Sequence, residues 1–322
     1  MSWPLSRPSK QAKSMAQPLF DQLAIIGTGL IGASIARAAT GAGAAGQVTL
    51  FDADSQVCKL AETLGLGTVC QSAQEAVRNA DCVILCVPVG ALGAAAEAIA
   101  PALKSGAILT DVGSVKAKAR DAMAQHCPET VHLIPGHPIA GTEKSGPEAG
   151  FASLFEDAWC ILTPDIKVHN TYSEAIEALS HFWSALGSKV EIMDAVQHDR
   201  VLAITSHLPH LIAFNIVSTA YDMETVNEGE VVKYSAGGFR DFTRIAASDP
   251  TMWRDVFLNN KTAVLETLGR FSEDLAALQR AIRYGDGETL FAEFTRARGI
   301  RKAILEAGED SDTVNFGRNT EE

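Results

Sequence analysis

Apolar residues in this chain come first as short runs separated by helical stretches, and later at three- and four-residue spacing over long segments. Residues 23–26 (Leu-Ala-Ile-Ile) form a run that stops at Gly27, and an alanine-rich helical pattern follows without a gap. Further runs lie at 47–51, 67–70, 82–87 and 106–110, the fourth of these five ended by Pro88. Helical patterns fill 55–65, 72–79 and 91–103, with Ala73, Ala76 and Val77 sharing one face of the second. The continuous apolar run at 82–87 predicts a strand buried on both faces, and the other runs read as strands. Strands alternating with helices predict right-handed crossovers and a mostly parallel, doubly wound sheet. Residues 131–134, 159–163 and 189–193 read as further strands, the last two flanking a helix at 173–187. The first domain is expected to close near Asp194.

From Ala195 the alternation stops. Residues 195–221 predict one helix, marked by Val196, Leu202, Leu211 and Ile212. Residues 251–283 predict a second uninterrupted helix, with Val256, Phe257, Val264, Leu268, Phe271, Leu275, Leu278 and Ile282 on its apolar positions, and 288–306 a third. The second exceeds ordinary globular helix length, which predicts that its apolar face meets another subunit.

Gly27-Thr28-Gly29-Leu30-Ile31-Gly32 has the spacing G-x-G-x-x-G between the first strand and the first helix. There, Gly27 allows the tight turn, Gly29 lets backbone approach a pyrophosphate, and Gly32 lets the helix pack close. Phosphates would sit on the free N–H groups of the helix N-terminus. Asp52 ends the second strand about 20 residues on, where an acid binds the ribose hydroxyls of NAD. Its carboxylate would repel a 2′-phosphate, so NAD is expected rather than NADP; the other use of such an aspartate is as an Asx-type cap. The expected organisation is a flexible tail (1–20), a Rossmann-type α/β domain (21–194), an all-α substrate and dimerisation domain (195–307) and a disordered acidic tail (308–322).

Composition narrows the function. The 322 residues are 47% hydrophobic, enough for sizeable cores, and a net charge of −12 argues against a nucleic-acid surface. Cys58, Cys70, Cys82, Cys86, Cys127 and Cys160 form no metal-type pair and read as reduced thiols of a cytoplasmic protein. The first 20 residues lack acids and an apolar core, so they are no secretory signal. No apolar run approaches the ~20 residues of a membrane span, and a soluble protein is expected.

In doubly wound sheets ligands bind beyond the carboxyl ends of the strands, so the residues there are the candidates for chemistry. Val87 and Pro88 follow the fourth strand, and Asp111-Val-Gly-Ser114-Val-Lys116 follows the fifth. Gly136-His137-Pro-Ile-Ala-Gly-Thr-Glu143-Lys-Ser-Gly146 follows the sixth and, with three glycines and no periodicity, is expected to be a loop. A hydride donor with a carbinol carbon needs a base for its hydroxyl proton, which suits a neutral histidine. His137 is the candidate base and Ser114 a second hydrogen-bonding group; otherwise they read as a backbone-satisfied loop histidine and a helix N-cap. In the helical half, His207 and His210 stand three residues apart and share a face if Pro209 only kinks the helix. As a metal pair they lack a third ligand, and no metal is expected. Arg240, Arg244, Trp253 and Arg254 cluster after a Gly-Gly break. They read either as a solvated helix start or as planar carboxylate binders.

Together Gly27–Gly32, Asp111–Lys116, Gly136–Gly146, Thr205-Ser-His207-Leu-Pro-His210 and Phe239-Arg-Asp-Phe-Thr-Arg244-Ile-Ala resemble the prephenate/arogenate (cyclohexadienyl) dehydrogenases, in family order over residues 21 to 308. The resemblance implies NAD-dependent oxidative decarboxylation of prephenate or arogenate in tyrosine biosynthesis. His137 would be the base, assisted by Ser114. Arg244 would bind a substrate carboxylate, and Glu143, His207, His210, Arg240 and Trp253 would line the pocket. Gly27, Thr28, Gly29, Leu30, Ile31, Gly32, Asp52, Val87, Pro88, Asp111 and Ser114 would hold the cofactor. The helical half would form a homodimer, and tyrosine is a candidate inhibitor. The rivals are a β-hydroxyacid or imine dehydrogenase of the same two-domain plan, and a dinucleotide-sensing regulator without chemistry.

Overall fold

The computed structural model describes residues 17–165, 170–224 and 237–306; most of the two expected tails lies outside them. Six strands form one parallel sheet: β1 (Phe20–Ile26), β2 (Ala45–Phe51), β3 (Thr68–Val69), β4 (Cys82–Leu85), β5 (Ile108–Asp111) and β6 (His132–Leu133). Their order is β3-β2-β1-β4-β5-β6, so the strand order reverses between β1 and β4. The two-residue period of a strand explains the burial. Leu23, Ile25 and Ile84 point to one core with Ala33, Ile35 and Ala36 of α1 (Leu30–Ala42). Ala24, Ile26, Val83 and Leu85 point to the other. There they meet Leu92, Ala96 and Ile99 of α4 (Leu92–Ile99), and Ala119 and Met123 of α5 (Ala117–Ala124). Between these lie α2 (Ser55–Thr63) and α3 (Ala73–Val77).

At the carboxyl edge the glycines are sterically required. Gly27 has φ +95°, and a Cβ there would collide with the Cys86 carbonyl; a Cβ on Gly32 would collide with the Gly27 carbonyl. A Cβ on Gly29 would meet nothing within 4 Å, so open space faces that residue. Gly29 caps α1 without a side-chain bond, and the N–H groups ahead of Ala33 have no intrahelical partner.

The strands expected at 159–163 and 189–193 do not extend this sheet. With β7 (Gly136–Pro138) they form a separate three-stranded sheet, β7-β8-β9, where β8 is Trp159–Leu162 and β9 is Lys189–Ile192. β7 pairs antiparallel with β8, and β8 pairs parallel with β9 across α6 (Asn170–Ala185). The residues expected to be loop at 136–138 are thus a strand. Three residues between a proline and a run of glycines are too short to show a two-residue period, and the ladder with Cys160, Ile161 and Leu162 decides their state.

In the helical half, α7 (Ala195–Leu202) passes through one π-helical turn (Ala203–His207) into α8 (Leu208–Glu224). By length and composition the stretch Ala195–Met223 could cross a bilayer, contrary to the expectation that no segment could. It qualifies because no Asp, Glu, Lys or Arg lies between Arg200 and Asp222; His198, Asp199 and His207 at its start are buried inside the protein. Then follow α9 (Gly237–Thr243), a 3-10 turn (Arg244–Ala247), α10 (Pro250–Asn259), α11 (Lys261–Tyr284) and α12 (Gly287–Glu306). The helix expected over 251–283 is therefore broken at Asn260. No glycine or proline marks that break; the buried Asn260 amide is held by the groups described below. Trp253 and Val256 of α10 join the core formed by Val89 and Leu92, and Asp255 lies where a side chain on Gly90 would be. The two halves share one core.

Candidate active site

β7 ends against α7, and this crossing brings His137 to His198. His137 Nδ1 and His198 Nε2 lie 2.8 Å apart, and His198 Nδ1 lies 2.9 Å from Asp199 Oδ1. Asp199 also accepts from the Lys116 N–H (2.7 Å, Oδ1) and the Ala117 N–H (3.0 Å, Oδ2), fixing α7 to the start of α5. Lys116 is fully buried. Its Nζ donates to Asp111 Oδ2 (2.5 Å) and to the carbonyl of Gly136 (2.6 Å), the residue before His137. Asp111 further accepts from the Gly113 N–H (2.9 Å) and the Gly136 N–H (3.3 Å). Burial lowers the Lys116 pKa, opposed by Asp111. A buried charge pair persists only when it is paired and hydrogen-bonded, and here one such pair clamps β5 to β7.

His137 is only 8% exposed, and Nε2 makes no hydrogen bond to another described residue. Its pKa lies well below the usual 6.5, because of burial first and then the neighbouring His198, Lys116 and His207. The imidazole is therefore neutral at physiological pH, as a proton acceptor must be.

His207 lies nine residues beyond His198, which in an unbroken α-helix would turn it about 180° away. The extra residue of the π turn swings it back toward the Asp199 side, a common use of such turns. Asn260 bridges the two: its Nδ2 donates to the Asp199 carbonyl (2.7 Å) and contacts His207 Nδ1 (3.1 Å). With the amide nitrogen on Nδ1, neutral His207 carries its proton on Nε2. Burial lowers its pKa to about 4. His210 stacks on Trp253 (3.7 Å between ring centroids, 22° between planes) and bonds the Ser206 carbonyl (2.9 Å). Arg244 donates to Glu143 Oε2 at 2.8 Å, both side chains about one-third exposed. Glu143 is held below the usual carboxylate range by its own backbone N–H and by Arg244.

Among the described residues, three buried polar atoms here make no hydrogen bond: His207 Nε2, Arg244 Nε and Trp253 Nε1, although the Ser114 backbone is near enough to His207 to raise its pKa against burial. Unsatisfied buried groups are uncommon in folded proteins, and a cluster of them fits a polar ligand that completes the set. Ser114 is half-buried on the turn after β5, and its hydroxyl makes no hydrogen bond to a described residue; the helix it was expected to cap starts later, at Ala117. Arg240 is exposed on α9 without an ion pair among the described residues. Asp111, expected to help hold the cofactor, is fully buried in the network with Lys116, Gly113 and Gly136. Asp52 Oδ2 accepts the Thr28 N–H (2.7 Å) and Oδ1 the Asp54 N–H (2.9 Å), so the carboxylate braces the glycine turn. Val87 flanks Gly27, and Pro88 lies exposed beside it. Sequence reasoning gave no role to Lys116, His198, Asp199 or Asn260. An adjacent His-Asp pair opening a helix was the available signal for two of them; for Asn260 there was none.

Four histidines held below their ordinary pKa, with burial the leading cause in each, make the fold acid-sensitive. The unfolded chain takes up protons near pH 6.5 that the fold refuses, so stability is complete above that pH and falls below it. For His207 alone, titrating near 4, the loss reaches about 3 kcal/mol by pH 4. Urea unfolding at pH 7, 6, 5 and 4 should show this decline; a flat profile would show that the histidines are not held neutral.

The sequence matches the nucleotide-binding domain of prephenate dehydrogenase over residues 35–192, and its dimerization domain over 194–296. It is 43% identical over 287 residues to cyclohexadienyl dehydrogenase of Zymomonas mobilis, covering 89% of this chain and 97% of that one. The chain belongs to the prephenate dehydrogenase family. Solved structures agree. The crystal structure of prephenate dehydrogenase from A. aeolicus, in complex with hydroxyphenyl propionate and NAD+, is 34% identical with a TM-score of 0.81, covering 91% of this chain and all of that one. Synechocystis arogenate dehydrogenase is 25% identical with a TM-score of 0.73, covering 88% and 99%. The fold is the expected one, a Rossmann-type sheet followed by a helical domain.

Proposed function

We propose that this protein is an NAD-dependent dehydrogenase that oxidatively decarboxylates prephenate to 4-hydroxyphenylpyruvate, arogenate to tyrosine, or both. The observation that carries the reading is a neutral, buried His137 on β7, beside the carboxyl end of β5 of a dinucleotide-type sheet, its Nε2 without a partner among the described residues.

The residues present fit the cofactor. Open space at Gly29, the unpaired N–H groups at the start of α1 and the Asp52 carboxylate suit a pyrophosphate and a ribose without a 2′-phosphate. NAD, when bound there, supplies the acceptor for the hydride that leaves ring C4 of the substrate. His137 Nε2 takes the 4-hydroxyl proton as the C4–O bond becomes a carbonyl. Loss of the ring carboxylate as CO2 passes its electron pair through the ring to the C4 oxygen, and protonation of that phenolate gives the phenol. Aromatisation supplies driving force, so the protein mainly orients and deprotonates. Arg244, with a buried and unpaired Nε, is the anchor for a substrate carboxylate, which would compete with Glu143. His207 and Trp253 offer N–H donors, and the Ser114 hydroxyl lies on the turn after β5. Exposed Ile216, Val217, Leu265, Ile282 and Phe291 on the helical half support a homodimer through these helices, and the reading as a biosynthetic enzyme places it in the cytoplasm. Formation of NADH and CO2 in equal amounts from prephenate or arogenate tests the reading.

A further inference from the structure

The hydrogen bonds behind His137 fix which of its nitrogens carries a proton. The backbone N–H groups of Lys116 and Ala117 can only donate, so Asp199 accepts on both oxygens. His198 Nδ1, 2.9 Å from the oxygen that Lys116 also occupies, must therefore present an N–H. A neutral imidazole protonated on Nδ1 has its lone pair on Nε2. That lone pair faces His137 Nδ1 at 2.8 Å, so His137 donates there and keeps its own lone pair on Nε2.

We propose that His198 and Asp199 are a positioning pair that holds His137 as the Nδ1–H tautomer, with Nε2 unprotonated toward the substrate hydroxyl. The proposal rests on His137 being the base. The opposite arrangement would need His198 protonated on both nitrogens, and burial lowers its pKa. It would also place a proton on His137 Nε2 and abolish the base. The pair acts in the transition state as well. As Nε2 gains the hydroxyl proton, the charge growing on the ring is shared through the Nδ1–H to His198 and on to the carboxylate. Acid–histidine pairs in hydrolases orient and stabilise a catalytic imidazole by this logic. His198 is completely buried and Asp199 nearly so.

Asp199 also braces α5, so His198 is the cleaner probe. His198→Gln can still accept from His137 through its amide oxygen and donate to Asp199 through its nitrogen; His198→Leu can do neither. Ring 15N shifts of His137 in the full-length protein, assigned by their absence in His137→Asn, report the tautomer directly. Wild type and His198→Gln are expected to show Nδ1 protonated and Nε2 bare, and His198→Leu to lose that preference. In His198→Leu, kcat should fall roughly 10²-fold, with KM for substrate and for NAD within a few-fold. His198→Gln should keep most of kcat. A wild-type His137 protonated on Nε2, or a Gln variant as impaired as Leu, would overturn the proposal, and the first holds even if His198→Leu fails to fold. Full turnover in His137→Asn would instead remove the base assignment, while the tautomer measurement would still stand.

Discussion

Replacing His137 by asparagine is expected to lower kcat by roughly 10²–10⁴-fold while NAD affinity stays within a few-fold. Asparagine keeps a polar group against His198 but carries no lone pair basic enough to take a hydroxyl proton. The fold should survive, because the clamp on this strand runs through the Gly136 carbonyl and N–H, which the substitution leaves intact. The nucleotide surface is built from Gly27–Gly32 and Asp52, on other strands, so NAD binding measured calorimetrically is the control. Wild-type turnover in this variant would strike His137 from the base role.

Arg244→Ala should act on binding instead. Losing a charge-assisted hydrogen bond to a carboxylate costs about 1.5–3 kcal/mol, which predicts a KM for prephenate or arogenate roughly 10- to 100-fold higher with a smaller change in kcat. Stability should barely move. The Glu143 partner left behind is about one-third exposed and can hydrate, and ion pairs of that exposure contribute about 0–1 kcal/mol. Steady-state kinetics beside a melting curve separates the two effects. An unchanged KM would mean that the substrate carboxylate is held elsewhere.

The parts of this molecule that were legible in its sequence are those encoded locally. Gly27 and Gly32 are needed because adjacent backbone would collide with any side chain there, and that requirement falls within a few residues of each glycine. The alternation of apolar runs and helices likewise reported the parallel sheet, because its central strands β1, β4 and β5 are buried on both faces by their neighbours. His137, Arg244 and Trp253 stood out because their residue types are unusual in a glycine-rich turn or after a Gly-Gly break.

What escaped depends on contacts made far along the chain. His137 and His198 are 61 residues apart, as are Asn260 and Asp199. Nothing near Asn260 interrupts the apolar spacing, so its helix break could not be read before Asp199 and His207 were in place. The small sheet was hidden for the same reason, since Gly136–Pro138 becomes a strand only when β8 pairs with it. Lys116 carried no role in the sequence, because its burial follows from Asp111 and Gly136 converging on it.

The most direct measurement is the initial rate of NADH formation by the purified full-length protein with prephenate and with arogenate, each against NAD and NADP, with CO2 counted alongside. Saturable turnover of at least one substrate, one CO2 per NADH and a clear preference for NAD is the expected result. No turnover of either substrate, in a protein that still binds NAD, would contradict the proposed reaction.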